Sequence, residues 1–448
     1  MASKTLDISN LVDQVKVGNF QKLVIGLCGT ILFLDGFDAQ AIGYVAPALL
    51  EAHVVTPKQL GPLFAASLIG LMMGAMLLAP RADRVGRRPV LIVSTMVVGA
   101  FSLATAWATG LNELLCLRFL TGIGLGGCMP NAVALVSEYS PAKQRGFFVS
   151  VVFGGFTLGS LLGGVVSAQL VPTHGWHWVF VIGGVLPLLL VPVLFYFLPE
   201  SIRYLVSRRK HPEQVARIVH RMYPKLSIDP NTSFTLADEP PTKTSVWQLL
   251  TPERARFTTL LWIIFFMSLL VIYLLVNWLP TILKDSGASM RNAIFIGTAL
   301  QLGALVGAFP LGHLLDRKGP RLTIGVSYLL GAFSLILIGL SSSISVGMTA
   351  FAVFLAGFAI IGGQGVANAA ASMAYPTEIR ATGVGWALGV GRVGSIVGPL
   401  IGGVLHSMNV PPRGIFFLCA VPALVAALAA AGLVARPVGP DKRSLFHK

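Results

Sequence analysis

Charge is what this chain has least of. Only 11% of its 448 residues are Asp, Glu, Lys or Arg, against 54% hydrophobic ones and a mean hydropathy of +0.77, a composition that no water-soluble domain of this size tolerates on its surface. Acids are the scarcer sign, 18 against 33 Lys and Arg. Cysteine is limited to Cys28, Cys116, Cys128 and Cys419, all within or at the ends of apolar segments. Cys116 and Cys128 sit on one helix too far apart to bridge, so the four carry no redox information. No Cys/His grouping has metal-ligand spacing and no Gly-rich phosphate loop follows a strand pattern, so neither metal nor other cofactor is expected. A cleavable leader is also missing from view: residues 1–21 are polar and mixed in charge, and the first span is expected to act as an uncleaved insertion signal.

What the chain has is apolar length. A spanning helix needs about 20 mainly apolar residues, which predicts twelve spans centred near residues 34, 70, 98, 125, 158, 187, 270, 304, 331, 359, 394 and 424. Lipid is therefore the solvent, and the expected organisation is six plus six. Residues 1–21 form a cytoplasmic tail, 22–198 a first six-helix bundle, 199–256 a cytoplasmic connector, 257–435 a second six-helix bundle and 436–448 a C-terminal tail. Within the connector, Glu213 to Met222 has helical apolar spacing and basic flanks, suited to lying along the membrane surface or the inner helix ends. The Pro, Ser, Thr and Asp of Pro224 to Thr244 read as a flexible linker.

The halves repeat each other. Gly70, Gly74, Asp83, Arg84, Gly86 and Arg88 recur as Gly303, Gly307, Asp316, Arg317, Gly319 and Arg321, every one shifted by 233 positions, and Pro141 and Arg145 recur as Pro376 and Arg380 at 235. A shared offset across glycines, an acid and arginines is what two copies of a multi-helix half produce. With the N-terminus inside, 27 of the 33 Lys and Arg fall in cytoplasmic segments. Lys58, Lys284, Arg291 and Arg413 fall outside, and Arg118 and Arg392 lie within spans. That bias places both termini in the cytoplasm and accounts for the net charge of +15 with no nucleic-acid partner.

Ionisable groups inside spans cost a few kcal/mol on insertion scales, about 3 kcal/mol at the centre, and mark functional sites by default. Asp35 and Asp38, three residues apart on one helical face with Gly36 between them, lie roughly 20 Å and 24 Å along the first span, and Arg118 about 9 Å below the outer end of the fourth. Two acids facing an arginine at one depth are suited to proton coupling, because like charges compete to stay ionised and the cation decides which does. A static ion pair that fixes helix packing fits the same pattern. Arg392, among glycines in Gly389 to Gly394, invites a carboxylate by bidentate pairing, or a salt bridge to an acid on another helix. Gln364 and Asn368, four apart, can present amides to a solute hydroxyl or ring substituent, or to a neighbouring helix. Phe33, Phe37, Tyr44, Tyr273, Trp278 and Trp386 offer flat surfaces for a ring, or simply pack. His174 and His177 belong to an interfacial belt.

At these residues a resemblance becomes plain. The duplicated Gly-x3-Gly with Asp83-Arg84-Val85-Gly86-Arg87-Arg88 resembles the signature loop of the major facilitator superfamily between its second and third helices, and Asp316-Arg317-Lys318-Gly319 resembles its counterpart in the second half. Asp35-Gly36-Phe37-Asp38 is similar to the Asp-Gly-x-Asp motif of that superfamily's aromatic acid:proton symporters. Arg118, Glu138 and Arg392 also fall where that family places functional charges. The resemblance implies an all-α integral membrane protein, twelve transmembrane helices in two six-helix bundles related by a parallel repeat. It further implies a monomeric, cofactor-free importer in the bacterial inner membrane that carries a benzoate-type acid, such as 4-hydroxybenzoate or protocatechuate, together with protons, and that is not an enzyme. The solute site is expected near the midplane between the halves. Asp35 and Asp38 would couple protons. Arg118, Arg392, Gln364, Asn368, Phe37 and Tyr44 would bind solute. Asp83, Arg84, Gly86, Arg87, Arg88, Glu138, Arg145, Asp316, Arg317 and Arg380 would form cytoplasmic gates. The fifth helix lacks the Gly-Pro of drug antiporters, and the tail from Ala435 lacks the second acidic motif of sugar porters, although Pro199-Glu200-Ser201 resembles their segment after helix six. The alternatives are transport of another organic anion, or a sensor of aromatic acids that translocates little.

Overall fold

A computed structural model describes residues 5–14, 17–208, 212–223, 233–235, 245–342 and 344–433. They form two compact units, Met1–Pro240 and Pro241–Lys448. The first holds six membrane-length helices: α2 (Asn19–Glu51), α3 (Pro57–Val85), α4 (Arg87–Thr105), α5 (Leu111–Tyr139), α6 (Arg145–His174) and α7 (His177–Phe197). A short helix, α1 (Ile8–Gln14), precedes them, and α8 (Ile202–Ser207) and α9 (Pro212–Met222) follow. The second unit holds α10 (Ala255–Asp285), α11 (Met290–Ser341), α12 (Val346–Ala356), a π-helical turn (Gly357–Ile361), α13 (Gly362–Ala374), α14 (Thr377–Ser407) and α15 (Pro412–Ala431). The 52-residue α11 breaks at Gly319 into two arms. α12, the π turn and α13 make one crossing, so twelve crossings stand among the described residues, as the apolar runs predict.

Local chemistry sets the ends. Thr56 caps α3, its N–H donating to Gln59 Oε1 at 2.8 Å, with Pro57 at the first helical position where a missing N–H costs nothing. Ser289 and Ser345 accept from Asn292 N and Met348 N at the starts of α11 and α12. The repeated Gly86 and Gly319 both take positive φ, +104° and +78°, which no other residue adopts cheaply, so each copy turns sharply at the same place.

The duplication extends to packing. Gly70 and Gly74 of α3 press on the Phe119 and Ile123 carbonyls of α5, and Gly303 and Gly307 of α11 press on Phe354 and Phe358 in the same way. Gly159 on Phe33 of α2 corresponds to Gly394 on Phe266 of α10. Lipid gives no hydrophobic drive between helices, so backbones held close by glycine supply the adhesion through dispersion. Apolar side chains outside these seams, such as Leu189, Phe309 and Leu428, are 65%, 78% and 73% exposed, as a lipid-facing surface requires.

The segments flanking the first bundle fold onto it. Ile8 and Val12 of α1 and Val215, Ile218, Val219 and Met222 of α9 join one core with Val24, Tyr139 and Leu205. The amphipathic stretch thus packs against the helix ends that carry Val24 and Tyr139. Asp13 Oδ1 accepts from Ala142 N at 2.7 Å. A short parallel pair joins β1 (Thr5–Asp7) to β2 (Ser233–Thr235), so part of the expected linker is a strand; residues 224–232 and 236–244 of it lie outside the described residues.

Candidate functional site

In the first unit Asp38 and Arg118 meet. Arg118 Nη1 lies 3.2 Å from Asp38 Oδ2, with side chains only 2% and 1% exposed. The remaining donors of the guanidinium are also occupied: Nε and Nη2 reach Thr105 Oγ1 at 3.2 and 3.0 Å, Nη2 reaches Thr121 Oγ1 at 3.0 Å, and the fork lies over the Phe180 ring at 4.7 Å from its centroid. The Ser102 hydroxyl donates to Asp38 Oδ1. α4, α5 and α7 together close a cage around one ion pair, and Gly183 lets α7 come up against Asp38 and Ser102.

Asp35 is buried one turn away but shares none of this cage. The Cys128 thiol beside it lies 3.9 Å from Thr95 Oγ1, and no cation pairs with Asp35 among the described residues. The two aspartates expected to act alike are thus distinguished: one is neutralised by Arg118, the other held among neutral groups.

Two of the residues expected to contact the solute ring lie within the first unit. Phe37 packs its ring against Gly163 and Gly183, and Tyr44 donates to the Ser160 carbonyl at 3.2 Å; both are buried inside the first unit, 4% and 2% exposed. The donors of Arg118, also expected to bind solute, are engaged by Asp38, Thr105 and Thr121, with the Phe180 ring beneath the fork.

The second unit keeps the frame and changes the chemistry. By the packing equivalences Asp35 corresponds to Ser268 and Thr95 to Tyr328, and these two are hydrogen bonded at 2.5 Å. Arg392 is half-buried and donates to the Tyr273 hydroxyl at 3.2 Å, with no acid paired to it among the described residues. The salt bridge that was the competing reading of Arg392 is absent from this set. Gln364 is buried and donates to Asn368 Oδ1 at 3.1 Å. Of the other aromatics, Trp278 is buried and donates to the Pro399 carbonyl at 2.9 Å, while Trp386 stacks on Trp262.

At the end of the first unit where α3 meets α4, the gate candidates divide. Arg87 Nη1 pairs with Glu138 Oε1 at 3.1 Å, and Glu138 Oε2 accepts from Ser201 at 2.6 Å. Asp83 is 73% exposed and reaches Arg87 only at 3.8 Å. Arg88 donates to the Phe195 carbonyl and lies over that ring, and the Arg84 carbonyl accepts from Tyr204 at 3.2 Å. Arg145 is half-buried with Nε unpartnered. Glu200, absent from the expected set, is the hub: Oε1 accepts from the N–H groups of Arg87, Arg88 and Ser201 at 2.8, 3.1 and 2.8 Å, placing an anion at the start of α4. A Cβ on Gly86 would fall on that carboxylate, so the motif needs glycine for space as well as for φ.

The second copy retains the turn without the pairs. Asp316 and Arg317 are exposed and make no ion pair among the described residues, Pro320 stands where Arg87 does, and Arg380 Nε donates to the Tyr375 carbonyl at 3.3 Å. The two copies of the motif thus share a backbone turn and differ in their ion pairs among the described residues.

Residues 28–297 and 261–448 match the sequence family described as the Major Facilitator Superfamily. The chain belongs to the Major Facilitator Superfamily. Within it, this chain is 40% identical over 434 residues to the 4-hydroxybenzoate transporter PcaK of Pseudomonas putida, covering 97% of this chain and 96% of that one. It is 40% identical over 425 residues to the gallate transporter of the same organism, covering 95% and 94%. The xylose transporter XylE from E. coli, in a partially occluded inward open conformation, shares the fold with a TM-score of 0.72 at 18% identity, covering 93% of this chain and 98% of that one. This facilitator is a multi-pass membrane transporter and not an enzyme.

Reasoning from the sequence of this facilitator missed Ser102, Thr105 and Thr121, because hydroxyls in apolar helices carry no pattern of their own. Glu200 did leave a signal: an acid directly after the apolar run of α7 and before the N-cap Ser201, which accepts from Tyr204 N at 3.0 Å.

Proposed function

We propose that the chain imports an aromatic carboxylate of the 4-hydroxybenzoate or protocatechuate type together with protons, by alternating access, across a bacterial inner membrane with both termini in the cytoplasm. The names of the relatives support the solute class. The observation that carries the mechanism is the division of charge: Asp38 is spoken for by Arg118, which leaves Asp35 as the buried acid with no cation and Arg392 as a half-buried cation with no acid, among the described residues. Asp35 takes the proton, and Arg392, supported by the Tyr273 hydroxyl, takes the carboxylate. Asp38 and Arg118 answer to the protonation of Asp35 one turn away. A ligand shifts a conformational equilibrium only by its differential affinity for the states, so proton and solute strengthen each other's binding.

The test is uptake of labelled 4-hydroxybenzoate and protocatechuate into proteoliposomes with and without an inward proton gradient. Accumulation that requires the gradient is expected. No accumulation of either acid by correctly oriented protein moves the assignment to a different organic anion or to a sensor.

A further inference from the structure

We infer that the Gln364–Asn368 pair reads a hydroxyl on the ring of the solute and thereby sets a preference for hydroxylated over unsubstituted aromatic acids. This rests on the transport reading above and deepens it.

The first observation is an unpaired polar atom. Gln364 is 7% exposed, its Nε2 is used by Asn368, and its Oε1 is buried with no hydrogen-bond partner. Buried polar atoms are nearly always paired, so an unpartnered one at this burial points to a group that it meets in function. Exchanging O and N in both amides does not remove it, because the bond to Asn368 then runs the other way and the far end of Gln364 is still unpaired. A hydroxyl both donates and accepts and satisfies that end in either orientation, whereas an ionised carboxylate only accepts. The chemistry selects a hydroxyl.

The second observation is where the pair stands. Tyr328, whose ring lies against Gly363, has its hydroxyl committed to Ser268 and is no substitute partner. The π turn Gly357–Ile361 ends two residues before Gly363, and the extra residue such a turn inserts rotates everything after it about the helix axis. That register is what puts Gln364 on a buried face while Gly365 and Asn368 are exposed.

Third, the levels fit. α13 and α14 run antiparallel, pack on each other and are joined by the short turn at Tyr375 and Pro376. Counted from that turn, Arg392 stands five residues of helical rise beyond Gln364, about 7.5 Å. That difference in level is comparable to the length of a para-substituted benzoate, so an acid held by its carboxylate at Arg392 would present its ring substituent at the level of Gln364.

The experiment compares uptake of labelled benzoate and 4-hydroxybenzoate by wild type and Gln364→Leu in proteoliposomes under an inward proton gradient. The expected result is that Gln364→Leu raises KM for 4-hydroxybenzoate and lowers its advantage over benzoate by about fivefold to tenfold, the worth of one buried hydrogen bond. Should the variant fail to fold, wild type decides alone: 4-fluorobenzoate, similar in size but without a donor, is expected to compete about fivefold to tenfold less well than 4-hydroxybenzoate. An unchanged ratio in an active variant, or equal competition by the two analogues, overturns the hydroxyl assignment and leaves the transport reading standing. Absence of uptake of any aromatic acid by wild type overturns the transport reading and this inference with it.

Discussion

Asp38 and Arg118 form an ion pair at 3.2 Å that is almost wholly enclosed by protein. Such a pair repays its desolvation only when the remaining hydrogen-bonding capacity is filled, and here Ser102, Thr105 and Thr121 fill it. Removing either partner alone, by Arg118→Leu or Asp38→Asn, is expected to cost about 3–5 kcal/mol by stranding the other charge or its donors. The double variant is expected to recover part of that stability without recovering transport. Thermal unfolding in detergent, read beside uptake, checks both; additive losses in the double variant would show that the two residues do not act as a pair.

The hydroxyl cage makes a separate prediction. Thr105→Val keeps the shape of the side chain and removes the acceptor shared by Nε and Nη2 of Arg118. A loss of about 1.5–3 kcal/mol is expected, the range for hydrogen bonds to charged groups. Arg118→Lys is expected to be no better tolerated than Arg118→Leu in transport, since a single ammonium cannot reach Asp38, Thr105 and Thr121 from one position.

Asp35 and Asp38 are expected to part company in assays that separate binding from coupling. Asp35→Asn keeps counterflow of solute and loses accumulation driven by the proton gradient, because the proton site is gone while the Arg392 site is untouched. Asp38→Asn loses both, through Arg118. Full gradient-driven accumulation by Asp35→Asn would remove that residue from the coupling mechanism.

Gly86 and Gly319 share a backbone conformation and differ in surroundings. Gly319→Ala meets open space and is expected to cost about 1–3 kcal/mol for the glycine-only backbone conformation alone. Gly86→Ala meets the Glu200 carboxylate in addition and breaks the cap on α4, so a larger loss of folded yield is expected. Fluorescence-detected size exclusion of the two variants side by side tests the difference.

The two acids beside Arg87 are unequal in the same way. Asp83 is exposed and distant, so Asp83→Asn is expected to change stability by less than about 1 kcal/mol. Glu138 is 4% exposed at its side chain and bonded to Arg87 and Ser201, so Glu138→Ala is expected to be the more destabilising by several kcal/mol, about 3–5 kcal/mol. Unfolding midpoints of equal size would contradict that ranking.

The sequence by itself determined the twelve crossings, the duplication, the turn at Gly86 and Gly319, and the depth at which Asp38 and Arg118 could meet. Each follows from a property local to the chain: apolar length, a repeated offset, a residue that tolerates positive φ, and rise per residue along a helix. Tertiary structure alone decided that Arg118 takes Asp38 and not Asp35, that Phe37 and Tyr44 are buried within the first unit, that Arg392 meets a tyrosine hydroxyl, and that Glu200 gathers the N–H groups at the start of α4. The physical reason is rotation. Depth along a helix is counted from its ends, but the direction a side chain faces depends on how each helix is turned against its neighbours. That is set by contacts such as Gly159 on Phe33 and Gly183 on Asp38, between residues more than a hundred positions apart.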